Sequence, residues 1–292
     1  MTALEKGDVW SLRFGDAVFK TLPAEEIWDR LMRATYDAAE PGVIFVDRVN
    51  ALNNLADVEA ISASNPCGEQ MLPPYGACLL GSINLAKLVQ SPFSDTAVID
   101  ERGLEDLTET AVRFLDNVIN ISRFPIKAQK KEAKSKRRIG LGVTGLADAL
   151  IFCGAKYGSN DAVRLTERWM ASIKRAAYRA SAKLAEEKGA YPLYSPDILD
   201  RPNLRSLDDE TRNLIKRFGL RNGCITSIAP TGTTSLLADN VSSGIEPVFA
   251  FSYSRKVKQA DGSTQEEPVT DYALAKWKAD RKSTRLNSSH VR

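Results

Sequence analysis

Short apolar segments that lead directly into helical patterns limit the fold of this 292-residue chain more than any other feature. Residues 43–47 form a nearly continuous apolar run, and residues 139–143 and 224–229 are also short and mostly apolar. Runs of this length suit parallel strands buried on both faces. A helical pattern at 145–152 follows the second run directly. Because strands that alternate with helices indicate a parallel sheet, the sequence predicts an α/β fold.

Helical spacing marks the segments between these runs. Apolar residues recur at helical spacing over 24–39 and 103–122. A longer helix is predicted to begin with a cap at Ser159 or the next residue and to reach about Lys188. Residues 9–19 alternate apolar and polar side chains, which predicts a strand or a hairpin.

The segment Asn65-Pro66-Cys67-Gly68-Glu69 places an amide, a thiol and a carboxylate at every second position. In extended backbone these three side chains would point the same way. Pro66 disfavours helix at Asn65, and Gly68 leaves space beside the thiol for a ligand. From these residues alone, two interpretations stay open: a catalytic row of donor, sulfur and base, or a buried structural cysteine in a turn.

Three longer motifs resemble the catalytic subunits of ribonucleotide reductases and occur in the order found in that family. They are residues 65–85, NPCGEQMLPPYGACLLGSINL; residues 138–150, RIGLGVTGLADAL; and residues 228–235, IAPTGTTS, followed by SGIEP at 243–247. The first resembles the finger loop, and its sequence is most similar to that of the adenosylcobalamin-dependent class II branch. The second resembles a barrel strand with its helix, and the third resembles the substrate-phosphate loop. The resemblance spans about residues 8–275.

This resemblance implies a fold more specific than α/β. The family has a ten-stranded α/β barrel, built from two halves of five parallel strands, with the finger loop inside. Residues 1–279 would be part of that barrel domain, incomplete at both ends. The chain expressed alone is therefore expected to be inactive.

The resemblance also implies roles for four residues of the first motif. Cys67 would carry a thiyl radical that takes the hydrogen from C3′ of the ribose. Glu69 would act as general base on the 3′-hydroxyl, and Asn65 would orient the sugar near its 2′-hydroxyl. Cys78 resembles one member of the thiol pair that reduces the substrate, and the partner thiol would lie on a strand outside this chain. The alternative for Cys78 is a packed core thiol.

The third motif is expected to bind the phosphates of the substrate. Backbone N–H groups and hydroxyls where a strand meets a helix form an anion site, with the helix beginning near Thr234. Thr and Ser also cap helices that bind no ligand, so the motif alone leaves both interpretations open. Residues 240–247 are expected to support this loop. The implied substrate-binding residues are Ser64, Pro230, Thr231, Gly232, Thr233, Thr234 and Ser235.

The implied function is reduction of ribonucleoside di- or triphosphates to deoxyribonucleotides for DNA replication, with adenosylcobalamin as the cofactor. A thioredoxin-like dithiol would be the reductant, no nucleic-acid or membrane partner is expected, and the full-length protein could be a dimer. One alternative is a class I large subunit that uses a separate radical-generating subunit. Another is a non-catalytic module that binds nucleotide phosphates and has structural cysteines.

Cysteine and histidine usage limits other kinds of chemistry. The four cysteines lack paired spacing, which argues against a zinc site and against a secreted disulfide scaffold. Cys153 and Cys224 lie in apolar contexts and are expected to pack in the core. The one histidine is His290, so His-based mechanisms are excluded for the rest of the chain. No signal peptide or membrane span is recognisable, and a cytoplasmic location is expected.

Two short segments of the chain are rich in basic residues. The four basic residues and one acidic residue at 280–292 account for the formal net charge of +3. This tail has no apolar period, and we interpret it as non-native, with a native disordered tail as the alternative. Residues 127–138 are strongly basic and are predicted to be a solvated connection at the surface, since no aromatic residues are interleaved for binding a polyanion.

Overall fold

The computed structural model describes residues 1–289, with side chains through residue 281. It contains two compact units, Met1–Asp47 and a larger one that begins at Arg48. No helix in the described part of the chain has the length and apolar character needed to cross a membrane.

The first unit consists of a β-hairpin and an amphipathic helix. Its elements are α1 (Thr2–Glu5), β1 (Val9–Phe14), β2 (Ala17–Pro23) and α2 (Ala24–Ala38). Strands β1 and β2 pair antiparallel from Val9↔Pro23 to Phe14↔Ala17. The predicted hairpin and the predicted helix at 24–39 are both confirmed.

The predicted buried strand at residues 43–47 is wrong. Val43, Ile44 and Phe45 are 41–43% exposed and form no strand, and helix α3 (Val46–Ala51) begins within the run. Val43 and Phe45 instead line an apolar cavity of about 230 Å³ together with side chains of α2. A short apolar run does not reveal whether a helix or a sheet will cover it. Here the apolar face of helix α2 lies beside the run.

The second unit contains the remaining elements. In chain order they are β3 (Ala63–Ser64), β4 (Met71–Leu72), β5 (Leu79–Asn84), β6 (Val89–Gln90), β7 (Val98–Ile99), α4 (Glu101–Ile121), α5 (Lys127–Lys136), β8 (Ile139–Thr144), α6 (Leu146–Phe152), α7 (Asn160–Lys188), α8 (Pro202–Arg205), α9 (Asp209–Phe218), α10 (Gly232–Leu237), β9 (Ser252–Lys258), β10 (Thr264–Thr270) and α11 (Tyr272–Ser289). Two 3-10 helices lie at Leu85–Leu88 and Pro196–Asp200.

A parallel pair of strands, β5 and β8, lies at the centre of this unit. Their register runs from Leu79↔Ile139 to Asn84↔Thr144, and all six residues of β8 are buried. The segment at 224–229, predicted to be a strand, forms no regular strand; it meets the other side of β8 through one parallel bridge at Leu141↔Thr226, and the Ser227 N–H donates to the Leu141 carbonyl oxygen at 3.0 Å. The α/β class is therefore confirmed. The strands described here do not close into a ten-stranded barrel.

Helices α4 and α7 supply much of the core beside this sheet. Leu104, Leu115 and Ile119 of α4 and Trp169 and Ile173 of α7 are buried in one cluster. The Ser159 hydroxyl accepts a hydrogen bond from the Ala162 N–H at 3.2 Å, and Gly189 ends α7. Both predicted helices are confirmed. The prediction succeeds because the apolar period and the capping residues indicate the same structure.

The prediction of a solvated basic surface at 127–138 is wrong at its C-terminal end. Residues 127–136 form α5, but Lys136, Arg137 and Arg138 are buried. Arg137 donates to Asp116 at 2.8 Å, and Arg138 donates to both carboxylate oxygens of Glu59 at 2.7 Å. Buried acidic partners distant in sequence explain the burial of these charges.

The segment at 280–292, interpreted as a non-native tail, lies partly outside the described residues. Helix α11 continues through residue 289, and residues 290–292 are not described.

Candidate active site

The predicted finger loop is the tip of a small hairpin. Strands β3 and β4 pair antiparallel through Ala63↔Leu72 and Ser64↔Met71. Between them, the Asn65 N–H donates to the Gln70 carbonyl oxygen at 3.1 Å, and the Gln70 N–H donates to Asn65 Oδ1 at 3.0 Å. The side-chain oxygen of Asn65 therefore closes the loop on itself.

The expected alternation of Asn65, Cys67 and Glu69 along extended backbone is wrong. The Gly68 N–H donates to the Asn65 carbonyl oxygen at 3.1 Å, which makes residues 65–68 a tight turn with Pro66 at its second position. Gly68 has φ +80°, a conformation that favours glycine. Turn chemistry therefore overrides the two-residue period, and it leaves Cys67 exposed instead of facing inward.

Glu69 faces a cavity. Its Oε2 atom is buried and has no hydrogen-bond partner among the described residues, while its backbone carbonyl accepts from Ser227 Oγ at 2.7 Å. The cavity has a volume of about 480 Å³, and its other lining groups include Arg138 and Cys224. A buried carboxylate oxygen without a partner is available to accept a proton, or a hydrogen bond from a hydroxyl group, of a ligand.

Cys78 lies directly before β5 and is half-buried. Burial raises the pKa of its thiol to about 12, and the Arg138 guanidinium acts in the opposite direction. The sulfur donates to the Leu79 carbonyl oxygen at 3.6 Å. This environment keeps Cys78 as a protonated thiol, which is the form that can donate a hydrogen atom. Its predicted pairing with a second thiol remains a prediction.

Cys153 and Cys224 both pack against the main hydrophobic core, as predicted. Cys224 has a further contact that the sequence did not indicate, because its sulfur accepts a hydrogen bond from Arg138 Nη1 at 3.0 Å. Burial raises the pKa of both thiols. These pKa shifts suit packed thiols rather than reactive thiolates.

Thr231, the second residue of the predicted phosphate loop, has a strained backbone conformation. Thr231 has φ +55°, an uncommon conformation for a β-branched side chain, and α10 begins at Gly232, two residues before the predicted start. The Gly244 N–H donates to Thr231 Oγ1 at 2.7 Å, and the hydroxyls of Ser235 and Ser243 lie 3.0 Å apart. The prediction that residues 240–247 support this loop is confirmed.

A second cavity, of about 310 Å³, opens beside this loop. Its lining includes Gly232 and Ser235 of α10 and Tyr253 and Arg255 of β9. Arg255 is half-buried and donates to Asn240 Oδ1 at 3.0 Å and to the Tyr253 hydroxyl at 2.7 Å. Arg255 could not be predicted from the sequence, because one arginine in a polar hairpin matches no motif.

The two predicted parts of the site lie in different cavities. Glu69 lines the first, and Gly232 and Ser235 line the second, whereas Cys67 lines neither of them. The structure therefore does not bring Asn65, Cys67 and Glu69 into one of these cavities with residues 231–235. Ser64 is half-buried next to the turn, and its hydroxyl donates to the Asn65 carbonyl oxygen at 2.9 Å.

Comparison with known proteins identifies one family that matches most of the chain, and it is the family that the three motifs resemble. The family described as "Ribonucleotide reductase, barrel domain" matches residues 10–290. A vitamin B12-dependent ribonucleoside-diphosphate reductase of Mycobacterium tuberculosis is 41% identical over 236 residues, which are 81% of this chain and 31% of that protein. The protein of the same name in Thermoplasma acidophilum is 38% identical over 252 residues, 86% of this chain and 30% of the relative.

A more distant relative carries a different description. The ribonucleoside-diphosphate reductase subunit alpha of Chlamydia pneumoniae is 30% identical over 259 residues, 80% of this chain and 24% of that protein. The chain thus spans less than a third of the length of these curated relatives.

Proposed function

This chain belongs to the ribonucleotide reductase barrel-domain family, and we propose that it is the part of a reductase that carries the radical cysteine and the substrate-phosphate loop. The observation that carries this proposal is the hairpin tip. It holds an exposed thiol, Cys67, two residues from a carboxylate, Glu69, whose buried Oε2 has no hydrogen-bond partner within the described residues. A sulfur and an available base close together in sequence are what hydrogen abstraction from a hydroxyl-bearing carbon needs.

In the proposed reaction, the Cys67 thiyl radical breaks the C3′–H bond of the ribose and forms its own S–H bond. Glu69 accepts the proton of the 3′-hydroxyl, and water leaves from C2′. Cys78 and a second thiol outside this chain supply two electrons and two protons and end as a disulfide. Cys67 then returns a hydrogen atom to C3′. The net change is ribonucleotide plus dithiol to deoxyribonucleotide, disulfide and water.

Asn65 would orient the sugar through its amide nitrogen. Its side-chain oxygen already accepts from Gln70, so the Nδ2 donor is the part of the side chain left for the 2′-hydroxyl. Ser64 and residues 230–235 would bind on either side of the ribose, with the loop amides contacting the phosphates.

We further propose that β5, β8 and the segment at 224–227 are three neighbouring strands of a ten-stranded barrel. Their parallel order supports this proposal, since the Ile139 N–H donates to the Cys224 carbonyl oxygen at 3.0 Å and β5 lies on the other side of β8. Closure of such a barrel around the hairpin would place the residues of the two cavities around one bound substrate.

The two cavities described above do not form a site for adenosylcobalamin beside Cys67. Cys67 is exposed, and a Cβ atom at the neighbouring Gly68 would meet nothing within 4 Å. Neither of the two cavities described above includes Cys67, so those residues provide no cradle for the cofactor. The proposed dependence on adenosylcobalamin therefore follows from the vitamin B12-dependent relatives, and no step is assigned to the cofactor.

The proposed substrate is a ribonucleoside diphosphate, as in the names of the relatives, and the proposed reductant is a thioredoxin-like dithiol. The test uses a full-length protein that contains this chain, supplied with cytidine diphosphate and a dithiol. We expect deoxycytidine diphosphate only when adenosylcobalamin is present, and no product from a Glu69→Gln variant.

Two results would contradict this proposal in different ways. Product that requires an added radical-generating subunit instead of the cofactor would assign the protein to class I. Tight nucleotide binding without product under either condition would favour the non-catalytic module.

A further inference from the structure

A buried carboxylate lies behind the predicted phosphate loop. Asp148, in the first turn of α6, is fully buried and forms no ion pair within the described part of the chain. Its Oδ2 accepts from the Ser242 N–H at 2.6 Å, and its Oδ1 accepts from the Ala273 N–H at 3.1 Å. Asp148 thus joins α6 to the segment after α10 and to the first turn of α11.

Ser242 is held against α6 by several hydrogen bonds. Its carbonyl oxygen accepts from the Gly145 N–H at 2.7 Å and from the Thr144 hydroxyl at 3.0 Å. Its own hydroxyl oxygen accepts from the Ala147 N–H at 3.1 Å. The position of Ser242 is therefore fixed from both sides of its peptide.

The hydrogen bonds continue from Ser242 to the strained residue of the loop. The proton of the Thr144 hydroxyl goes to Ser242, so the Thr231 hydroxyl, 3.0 Å away, donates to Thr144 Oγ1. Thr231 Oγ1 also accepts from the Gly244 N–H at 2.7 Å. A non-glycine residue at positive φ persists only where its surroundings hold it, and these bonds hold Thr231.

The carboxylate is retained here against an electrostatic cost. Burial raises the pKa of Asp148, and the neighbouring Asp271 carboxylate acts in the same direction. A hydrophobic side chain would avoid this cost, but it could not accept the Ser242 N–H. The structure therefore favours a role in positioning over a role in stability.

We propose that Asp148 is a positioning residue for the substrate-phosphate loop, acting through Ser242 and Thr144 on Thr231. This inference rests on the proposed function, because the loop is assigned to the nucleotide phosphates there. Asp148 itself lies behind the loop. Its loss should therefore weaken nucleotide binding and affect the chemical step much less.

The test is steady-state kinetics on the full-length protein with cytidine diphosphate. Asp148→Ala should raise KM by about tenfold or more with kcat changed little, since one hydrogen bond to a charged group is lost from the positioning chain. Asp148→Asn should restore KM, because its amide oxygen can still accept the Ser242 N–H and only the hydrogen bond from the Ala273 N–H, outside the positioning chain, is lost. Asp116→Asn neutralises another buried carboxylate, outside this chain of hydrogen bonds, while keeping an acceptor for Arg137, and it should leave KM unchanged.

A second pair of variants covers the case in which Asp148→Ala does not fold. Thr144→Val is nearly isosteric and removes the hydroxyl between Ser242 and Thr231, so it should raise KM by a similar factor. Thr144→Ser should restore it. An unchanged KM in active Asp148→Ala or Thr144→Val protein would overturn the inference, whereas no turnover in the unaltered protein would overturn the proposed function instead.

Discussion

Cys67 and Cys78 lie in opposite environments although one motif contains both. Cys67 is exposed at the tip of a turn, and Cys78 is half-buried with its thiol pKa raised to about 12 by burial. The same motif therefore presents one sulfur to the outside and holds another as a protonated thiol. The two sulfurs therefore differ in exposure and protonation, and their proposed roles as radical-carrying and reducing thiols stay predictions.

The difference in exposure predicts the order in which the thiols react. At about pH 8, iodoacetamide should modify Cys67 first, because the thiolate is the reactive form and the other three thiols have raised pKa values. Peptide mapping of the labelled chain measures this order. Cys67→Ser should remove the fast phase and Cys153→Ser should leave it, whereas a fast phase that survives in Cys67→Ser would contradict the placement.

The raised pKa of Asp148 predicts that this carboxyl group stabilises the fold less as the pH rises, which is the opposite of the usual effect of an acidic residue. Burial raises its pKa from 3.8 to about 6, so the folded chain binds more protons than the unfolded chain between these values. The free energy of unfolding should therefore fall as the pH rises from about 4 to about 6. Relative to the unaltered chain, Asp148→Asn should gain roughly 1–3 kcal/mol over that window, measured by urea unfolding.

Asp261 gives a control of opposite sign. Hydrogen bonds from Ser263 lower the pKa of this exposed carboxyl, so its contribution is present above its unfolded pKa and is lost as the pH falls. Asp261→Asn should therefore lose stability relative to the unaltered chain at neutral pH. A difference between Asp148→Asn and the unaltered chain that is constant with pH would contradict the account of Asp148.

At the level of the elements, the sequence predicted structure well wherever local signals agreed. Helix α7 has an apolar stripe, a serine cap and a terminal glycine, and it was predicted nearly to its ends. The turn at 65–68 was missed because glycine and proline geometry competed with an alternation pattern. The burial of Arg137 and Arg138 was missed because their partners, Asp116 and Glu59, are distant in sequence.

The candidate site divides in the same way. The reactive residues belong to motifs, so Cys67, Glu69 and the loop at 230–235 could be named from the sequence. Asp148 and Arg255 could not, because their roles arise from contacts between segments that fold together. Supporting groups of this kind carry no local pattern.

Strand β8 predicts one strongly destabilising substitution. A Cβ atom at Gly142 would lie 2.2 Å from the Ser227 carbonyl oxygen, so Gly142→Ala must displace the neighbouring extended segment. We expect a loss of about 1–3 kcal/mol in the free energy of unfolding, measured with urea. Gly42→Ala, where no atom lies within 4 Å, is the matched control. Equal stability of the two variants would contradict the close packing of 224–227 on β8.

At the scale of the whole molecule, the residues of the proposed site lie in separate places within the described part of the chain. Cys67 is on the surface, Glu69 lines one cavity, and the phosphate loop lines another. The chain covers less than a third of its curated relatives, so the proposed barrel closure concerns the full-length protein. The interpretation of residues 280–292 as non-native and the cytoplasmic location both stay predictions.

The central claim is that Cys67 takes the hydrogen from C3′ of the ribose, and the most direct measurement follows that hydrogen. Full-length protein that contains this chain is incubated with cofactor and a ribonucleotide labelled with tritium at C3′. The Cys78→Ser protein should lose turnover with dithiol reductants but should still exchange the tritium at C3′, because only the reducing thiol is missing. Cys67→Ser should leave the label in place, and exchange of the C3′ hydrogen by Cys67→Ser protein would contradict the assignment.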